Sequence, residues 1–188
     1  MNKNRCDWCL SSDLYKDYHD LEWGKPVYND KVFFEFLILE TFQAGLSWIT
    51  ILNKRENFRL AFDDFDCKKI ANYSDAKQNL LLQNSGIIRN KLKIKSAVSN
   101  AKAFIEIQKE FGSFSNYIWN FVDNKPIDNY PKSIKDVSAT SNISDAISKD
   151  LKKRGFKFVG STVIYAFMQA TGLVNDHIET CWTRTQIF

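Results

Sequence analysis

Glycine and proline are scarce in this chain, with seven and three residues among 188. This scarcity argues against many tight turns and favours long helices joined by simple loops. A membrane span needs about 20 consecutive apolar residues, and the strongest apolar run is interrupted by Glu35 and Glu40. The first residues, MNKNRCDWCL, lack the apolar region and cleavage pattern of a signal peptide. We therefore expect a cytoplasmic protein with no membrane partner.

Neither sign of charge dominates the composition, because 26 Lys and Arg residues face 22 Asp and Glu residues, a net charge of +4. This mild basicity is compatible with a nucleic-acid partner but does not establish one. With 44% hydrophobic and 26% charged residues, the composition is that of a globular protein rather than a disordered one. The length suits one domain spanning residues 1–188.

Histidine is rarer still, with two residues, and each has a cysteine at ligand-like spacing. His177 and Cys181 are four residues apart, which predicts that both lie on one face of a helical turn. Cys6 and His19 bracket an aromatic-rich leader near the N-terminus. Two thiolates and two imidazoles complete a closed tetrahedral site for one structural zinc ion. Such a metal would clasp residues 1–23 to residues 171–188, around a helical body of residues 30–170.

The remaining cysteines, Cys9 and Cys67, leave alternatives open. Cys6 and Cys9 have the CxxC spacing of a redox thiol pair, although no alternation of strands and helices surrounds them. Cys9 is also a rival to Cys6 as metal ligand. In a cytoplasmic protein cysteines are expected as thiols or metal ligands rather than disulfides. Scattered cysteines and histidines are otherwise ordinary core or surface residues, an interpretation that needs no metal.

The stretch from Asp30 to Phe62 is the most apolar part of the chain, and its first half predicts a helix that is buried nearly all round. Asp30 is placed to cap the start of this helix. Glu40 lies within it, and a buried carboxylate has to be paired, protonated or used. The alternative is an amphipathic helix whose polar edge carries Glu40 into solvent. The helix is predicted to break at Gln43–Leu46, after which Ser47 caps a second helix.

The rest of the chain predicts further helices and an all-α fold. A helix near Ser12–Asp20 precedes the apolar stretch. Later helices are expected at Ser74–Asn84, at Asn90–Phe111, from a cap at Ser144, and from Ser161 or Thr162. An irregular connector with two prolines spans residues 124–142. The one strand-like piece is Phe156–Val159.

A tight turn with Gly86 joins two of these helices, and the second begins with a basic row of Arg89, Lys91, Lys93 and Lys95. A helix-hairpin-helix of this kind offers backbone N–H groups and a helix N-terminus to a DNA phosphate, without reading sequence. The usual hairpin carries two glycines, and only one is present here. A plain αα-hairpin with a solvated basic face is the commoner arrangement.

Six stretches of the sequence together resemble the bacterial DNA-3-methyladenine glycosylase I family. They are RCDW, YKDYHDLEWG, FFEFLILETFQAGLSWITILNKRENFR, SGIIRNK, SDAISKDLKKRGFKFVGST and FMQATGLVNDH. The resemblance covers essentially the whole chain. It implies a helix-hairpin-helix glycosylase fold with a zinc clasp at the termini, acting as a monomer on alkylated double-stranded DNA. It also implies release of 3-methyladenine, in the manner of base excision repair.

The resemblance also implies roles for individual residues. The zinc ligands are Cys6, His19, His177 and Cys181. Glu40 is the acid that contacts the base, Trp48 and Tyr18 sandwich the flipped base, and Trp8, Tyr15 and Trp23 line or support the pocket. The turn that plugs the gap in the duplex is Gln43, Ala44, Gly45 and Leu46, and the hairpin on the DNA is Gly86, Ile87, Ile88, Arg89 and Lys91. The chain departs from the family pattern at Cys9 and in its last few residues.

The mechanism expected from these residues is that of a monofunctional N-glycosidase. No lysine nucleophile is indicated, and no acid in the sequence is assigned to activate water. Asp176, beside His177, is expected to support the metal ligands. Two other functions remain open: a zinc-clasped DNA-binding module without catalysis, and a zinc hydrolase, which a metal with four protein ligands would exclude.

Overall fold

A computed structural model describes residues 3–186 of the chain, and most of these residues lie in helices. The α-helices in this region are α1 (Asp13–Leu21), α2 (Asp30–Gln43), α3 (Trp48–Leu52), α4 (Arg55–Ala61), α5 (Cys67–Ile70), α6 (Asp75–Gln83), α7 (Lys91–Phe111), α8 (Phe114–Trp119), α9 (Asn142–Lys153) and α10 (Ser161–Ala170). Two short strands, β1 (Ile127–Asp128) and β2 (Val174–Asn175), pair in parallel. The predicted predominance of helix is confirmed. Within residues 3–186, no helix combines the length and the apolar character needed to cross a bilayer.

Helix α2 forms the centre of the core and is buried from Phe33 to Phe42, as predicted for a helix that is apolar on all sides. It packs against α7, α8 and α10. The predicted cap at Asp30 is wrong, because the side chain of Asn29 accepts the N–H groups of Lys31 and Val32.

The Asp30 carboxylate instead joins α2 to two later helices. It accepts hydrogen bonds from the backbone N–H groups of Phe114 and Ser115, at the start of α8, both at 2.9 Å. It also accepts one from Nε2 of Gln108 in α7 at 2.7 Å. The acid thus satisfies free N–H groups at a helix N-terminus, which is the usual role of a cap, but at a different helix.

The other predicted helix starts are confirmed in part. Ser74 and Asn90 cap α6 and α7 through their side-chain oxygens. The cap of α9 is Ser141 rather than the predicted Ser144. The two serines form a reciprocal capping box, in which the Ser144 hydroxyl accepts a hydrogen bond from the Ser141 N–H at 2.7 Å. Ser47 precedes α3, but its hydroxyl bonds to the hydroxyl of Thr50.

The strand predicted at Phe156–Val159 is absent from the structure, which has bends there. Its backbone groups are satisfied by side chains instead of a neighbouring strand. Asn100 of α7 accepts the N–H of Lys157 and donates to its carbonyl, at 2.8 and 3.1 Å. Ser148 donates to the Val159 carbonyl at 2.7 Å.

One residue of the predicted basic row faces inward rather than toward a ligand. Lys93 is buried, and its ammonium donates to the carbonyls of Phe42 and Ala44 at 2.9 and 2.6 Å. These carbonyls end α2, where a cation is favoured. Burial lowers the pKa of Lys93. Lys93 therefore fixes the end of α2, whereas Arg89 and Lys91 are exposed.

The hairpin between α6 and α7 packs closely around its one glycine. A Cβ on Gly86 would lie 3.0 Å from Oδ1 of Asn84 and 3.1 Å from side-chain atoms of Asn57. Ile87 is buried and anchors the hairpin in the core, while Ile88 is half-buried. The N–H groups of Gly86 and Ile87 bond to Oδ1 and the carbonyl of Asn84 at 2.8 and 3.4 Å.

Candidate active site and metal centre

A cavity of about 280 Å³ opens beside the C-terminal half of α2. Its volume is near the lower end of the roughly 300–1,000 Å³ that ligand clefts have. The acid and all five aromatic residues predicted for the base pocket line it, namely Trp8, Tyr15, Tyr18, Trp23, Glu40 and Trp48. The fold therefore brings these side chains together around one space large enough for a small planar ligand.

Glu40 is the unusual charge in this cavity. Its side chain is 3% exposed, and burial raises its pKa to about 8. Its Oε2 atom has no hydrogen-bond partner among the residues that the structure describes. A buried polar atom without a partner is rare in native proteins and points to a missing ligand or water. The interpretation of Glu40 as the solvated edge of an amphipathic helix is thereby excluded.

Glu35, one and a half turns earlier in α2, shows the ordinary arrangement of a buried acid. It is 7% exposed, and its Oε1 accepts hydrogen bonds from Nε of Arg55 at 2.6 Å and from Nε of Arg59 at 3.0 Å. Two acids on one buried helix thus differ in whether a cation pairs with them. Glu35 is neutralised by cations of α4, whereas Glu40 faces the cavity with one oxygen unpaired.

The aromatic side chains form one continuous wall of the cavity. The ring centroids of Tyr18 and Trp48 are 5.3 Å apart, and their planes are inclined by 45°. A base stacked between two rings needs them about 7 Å apart, since each contact takes about 3.5 Å. The predicted sandwich therefore requires these two rings to separate. Nε1 of Trp48 is buried and has no partner among the described residues, a second polar atom in this wall that lacks a ligand.

Helix α10 supplies a further wall that sequence reasoning missed. Four of its residues, Thr162, Tyr165, Ala166 and Gln169, line the cavity. Their spacing puts them on one face of the helix, and polar residues recurring on one face of an apolar helix were the available signal. The connector contributes Ile134, Val137, Ser138 and Ala139. Nothing in its irregular sequence identified those residues.

Asp176 was predicted to support the metal, and this prediction is wrong. Its carboxylate is buried and accepts hydrogen bonds from Tyr165 at 2.8 Å, Gln169 at 2.8 Å and Asn129 at 2.7 Å. Asp176 and its neighbour His177 point to different sites. Asp176 therefore holds two residues of the cavity wall in place.

The four predicted metal ligands converge at the second site. Ligand atoms of Cys6, His19, His177 and Cys181 all lie within 4.8 Å of one another, and all four residues are buried. Sγ of Cys181 is 3.4 Å from Nε2 of His19 and 3.4 Å from Nδ1 of His177. A tetrahedral zinc ion with Zn–S bonds of about 2.3 Å and Zn–N bonds of about 2.0–2.1 Å separates sulfur and nitrogen ligands by about 3.6 Å. The cluster therefore has the size and the donor set of a metal site.

The outer nitrogen of each imidazole is already occupied, which orients both rings. Nδ1 of His19 donates to the Asp20 carboxylate at 2.8 Å, and Nε2 of His177 donates to the Trp23 carbonyl at 3.1 Å. Such bonds leave the opposite nitrogen free for a metal. Burial alone would raise the pKa of Asp20, but hydrogen bonds from Arg5 and His19 lower it. Asp20 thus has the supporting role that was predicted for Asp176.

The position of the thiols favours Cys6 and Cys181 over Cys9, because Sγ of Cys6 lies 3.8 Å from Nδ1 of His177. Thiol acidity does not separate Cys6 from Cys9, since a hydrogen bond to Cys181 and burial also raise the pKa of Cys6. Hydrogen bonds from Cys6 and then from His177 lower the pKa of the Cys181 thiol, which favours the thiolate that binds metals. Cys9 is fully buried, its thiol donates to the Cys6 carbonyl at 3.1 Å, and burial raises its pKa to about 11. Cys9 lies outside the cluster.

His177 and Cys181 reach the cluster without the predicted helical turn. The backbone N–H of Cys181 bonds to the carbonyl of Ile178 at 2.8 Å, as in a tight turn. The carbonyl of His177, which an α-helix would pair with Cys181, accepts a hydrogen bond from Arg184 at 2.6 Å. A spacing of four residues thus brings both ligands to one point through an irregular turn.

Aromatic rings connect the metal cluster to the cavity. The ring centroid of Trp23 is 4.5 Å from that of His177, and the centroid of Trp8 is 5.4 Å from that of His19. Trp8 and Trp23 also contact each other at 4.9 Å. The cluster therefore supports one wall of the cavity.

The turn predicted to enter the duplex follows α2 directly. Gly45 has a φ of +81°, a left-handed conformation that favours glycine, and Leu46 is 41% exposed. Gln43 lines the cavity itself. An exposed leucine at a tight turn next to a cavity is available to contact a large ligand.

The stability of the protein should report the burial of Glu40. Its folded-state pKa of about 8 exceeds the ordinary value of 4.5. Between these values the folded state holds a proton that the unfolded state releases, so the free energy of unfolding falls as pH rises through this window. Glu40→Gln cannot ionise. We expect the variant to gain stability relative to wild type by on the order of 3–5 kcal/mol from pH 5 to pH 9. Urea unfolding at both pH values tests this, and a difference that does not change with pH would contradict it.

Comparisons with known proteins agree on one family. The family model of the methyladenine glycosylases matches residues 8–185. The DNA-3-methyladenine glycosylase of Haemophilus influenzae is 48% identical over 181 residues, which are 96% of this chain and 98% of the relative. DNA-3-methyladenine glycosylase 1 of Escherichia coli K12 is 45% identical over 177 residues, 94% of this chain and 95% of the relative. A solved structure of the Staphylococcus aureus 3-methyladenine DNA glycosylase I, described as the structural basis of 3-methyladenine recognition, is 34% identical, covers 98% of each chain and has a TM-score of 0.94. On this evidence the chain belongs to the methyladenine glycosylase family.

Proposed function

We propose that this protein is a DNA glycosylase that excises 3-methyladenine from alkylated DNA. The observation that carries the proposal is the buried carboxyl group of Glu40, which has an unpaired oxygen inside an aromatic cavity. A module that only binds the DNA backbone needs neither feature. The relatives named above are DNA-3-methyladenine glycosylases, and one of their structures concerns 3-methyladenine recognition.

The cavity suits a base that has left the duplex. Enzymes that act on a base flip it into a pocket at a cost of a few kcal/mol, because its reactive atoms are inaccessible inside the stack. Methylation at N3 makes the nucleoside cationic, and a cation is attracted to aromatic faces and to a carboxylate. The wall containing Tyr18 and Trp48 supplies the faces. Glu40 supplies the acid, whose ionised form a bound cation would favour against the effect of burial.

The reaction breaks the bond between the deoxyribose C1′ and N9 of the purine. The bonding electrons stay on the base, which leaves as neutral 3-methyladenine, and water adds to C1′ with loss of a proton. A cationic purine is already a good leaving group, so the protein contributes mainly positioning and charge stabilisation. No lysine is among the residues lining this cavity in the described part of the chain. This supports a monofunctional enzyme without strand-cleaving activity.

The metal of the terminal cluster is, in this proposal, one structural zinc ion held by Cys6, His19, His177 and Cys181. Two thiolates and two imidazoles are the donor set of structural zinc. Four protein ligands leave no position for water, so the ion supplies folding energy rather than Lewis-acid chemistry. The ligands His19 and His177 contact Trp8 and Trp23, which line the cavity. The metal site would therefore stabilise the wall against which the base binds.

Double-stranded DNA would bind across the turn after α2 and the hairpin before α7. Leu46 would fill the space that the flipped nucleotide leaves, as apolar wedges do between base steps. The exposed Arg89 and Lys91 would hold a phosphate. The N–H groups of Gly86 and Ile87 already bond to Asn84, which fixes the hairpin beside them. Lys93 ties these two contact regions together through the carbonyls of Phe42 and Ala44.

Removing the wedge should affect duplex DNA and spare the free base. We expect Leu46→Ala to lower kcat/KM on methylated duplex DNA by roughly tenfold, because a lost wedge costs on the order of 1–2 kcal/mol. Binding of free 3-methyladenine, measured by tryptophan fluorescence, should stay within about twofold of wild type. Equal losses in both measurements would assign Leu46 to packing alone.

The function is tested by base release. Purified protein is incubated with DNA treated with a methylating agent, and the released bases are separated by chromatography. We expect 3-methyladenine to be released faster than in a matched reaction without protein, and no base to be released from unmethylated DNA. Binding to the methylated DNA without release would instead support the non-catalytic DNA-binding module.

A further inference from the structure

A hydrogen-bond network behind the α10 wall controls the polarity of the cavity. Asp176 is 2% exposed, and its Oδ2 accepts hydrogen bonds from the Tyr165 hydroxyl and from Nε2 of Gln169, both at 2.8 Å. Its Oδ1 accepts a third from Nδ2 of Asn129 at 2.7 Å. Tyr165 and Gln169 line the cavity, whereas Asp176 lies behind them. The network therefore sets which polar atoms of the wall remain for a ligand.

Asp176 decides the orientation of the Gln169 amide. A carboxylate only accepts hydrogen bonds, so the amide NH2 group of Gln169 has to face it. The other end of the amide, the Oε1 atom, receives no hydrogen bond from any residue that the structure describes. Reversal of the amide would bring Oε1 against the carboxylate and lose the bond. Gln169 consequently offers the cavity an acceptor.

Tyr165 offers the cavity little by comparison. Its hydroxyl donates to Asp176 and accepts a hydrogen bond from Asn129 at 3.1 Å. Both roles of the hydroxyl are therefore filled within the protein. Gln169 Oε1 is the acceptor that α10 leaves available.

An acceptor in this wall distinguishes purines by the group at C6. Adenine carries an amino group there, which donates hydrogen bonds, and guanine and hypoxanthine carry an oxo group, which accepts them. An oxo group placed against Oε1 would leave two acceptors facing each other in a desolvated site. Sites built to hydrogen-bond a polar group reject analogues that lack it more strongly than apolar pockets reject a change of size.

We propose that Gln169, oriented by Asp176, is a specificity-determining residue that accepts a hydrogen bond from the C6 amino group of the N3-methylated base. This inference rests on the proposed function and deepens it. Asp176 acts as a positioning residue through Gln169. The pair thereby selects 3-methyladenine against N3-methylated purines with an oxo group at C6, such as 3-methylguanine.

The test compares two free bases that differ at C6, 3-methyladenine and 3-methylhypoxanthine. Their dissociation constants are measured by calorimetry for wild type, Gln169→Met, Asp176→Asn and Asn129→Ala. We expect wild type to prefer 3-methyladenine, and the preference to fall roughly tenfold in Gln169→Met, because one hydrogen bond is lost from the matched base alone. Asp176→Asn should also lower the preference, since an asparagine can pair with either end of the Gln169 amide.

Asn129→Ala is the matched control. It removes the hydrogen bonds that the exposed Asn129 donates to Asp176 and to the Tyr165 hydroxyl, and it leaves the bond between Asp176 and Gln169 in place. We expect it to keep the wild-type preference, and a tenfold loss there would overturn the positioning role of Asp176. An unchanged preference in Gln169→Met, or equal weakening toward both bases, would overturn the proposal. Base release by the wild-type protein separates failure of the Gln169 role from failure of the proposed function. If wild type releases 3-methyladenine but Gln169→Met keeps the wild-type preference, only the role of Gln169 is rejected. If wild type releases no 3-methyladenine, the proposed function is rejected.

Discussion

Replacing Cys181 with serine is expected to abolish metal binding and to destabilise the protein strongly. The Cys181 thiol lies 3.4 Å from both ligand nitrogens of the cluster, so no other ligand is as central. A serine hydroxyl stays protonated at neutral pH and does not replace a thiolate. Structural zinc contributes about 10–16 kcal/mol of apparent binding free energy in small peptides. Losing one of the ligands should therefore lower the free energy of unfolding by at least ~3 kcal/mol.

The measurements are zinc content by elemental analysis and stability by urea unfolding. Cys67→Ser is the matched control, because Cys67 is a half-buried thiol outside the cluster. It should keep one zinc per chain. Cys9→Ser should also keep the metal, since a serine hydroxyl can still donate to the Cys6 carbonyl. Full zinc content in Cys181→Ser would refute this metal site, and loss of zinc in Cys9→Ser would make Cys9 a ligand.

Activity should follow folding in these variants. A zinc ion with four protein ligands would have no open position for water, so its loss would remove no reacting group. We expect Cys181→Ser to lose activity mainly because fewer molecules are folded. Its turnover per folded molecule should change much less than its total activity. His19 and His177 contact Trp8 and Trp23 in the cavity wall, so disturbing these contacts should nevertheless weaken base binding.

The second large effect is expected at Glu40. A bound base with positive charge and N–H donors favours the ionised form of Glu40, against the effect of burial. Glu40→Gln keeps the size of the side chain, but it cannot ionise and introduces an amide donor where the bound base also donates. A hydrogen bond to a charged group is worth about 1.5–3 kcal/mol. The variant should therefore bind 3-methyladenine more weakly and excise it roughly ten- to a hundredfold more slowly. Folding and zinc content should be preserved.

Single-turnover base release and binding of free 3-methyladenine are the two measurements. Glu35→Gln is the matched control, since it lies on the same buried helix but pairs with Arg55 and Arg59. It should reduce stability, because the buried Arg55 loses one of its two carboxylate partners and keeps only Glu22. It should not slow excision by the folded fraction. Wild-type activity in Glu40→Gln would remove Glu40 from the catalytic site.

Local sequence patterns predicted most of the helices because their signals act over three or four residues. Ser74 and Asn90 cap helices through backbone N–H groups that follow directly in the chain. The same reasoning was wrong at Asp30, where two neighbouring polar residues could each cap α2. The choice depended on α8, 84 residues later, whose N-terminus binds the Asp30 carboxylate.

Side chains with unusual chemistry were also recognisable in the sequence. Two histidines, each with a cysteine at ligand-like spacing, predicted a cluster that the fold assembles. The resemblance to the glycosylase family named the acid and the aromatic residues that line one cavity. The resemblance supplied the acid and the aromatic residues, whereas the pairing of each rare histidine with a cysteine was visible in the sequence alone.

The sequence by itself thus predicted a helical body and a cluster of two cysteines and two histidines that could hold a metal, since periodicity, caps and rare residue types are local properties. It left open whether Glu40 is buried. Only the tertiary structure decided that Lys93 caps α2, that Asp20 rather than Asp176 orients a metal ligand, and that α10 completes the cavity. Each of these outcomes is a hydrogen bond or contact between side chains brought together by packing. A buried polar group takes the partner that the packed helices place within about 3 Å, and sequence spacing does not specify that partner.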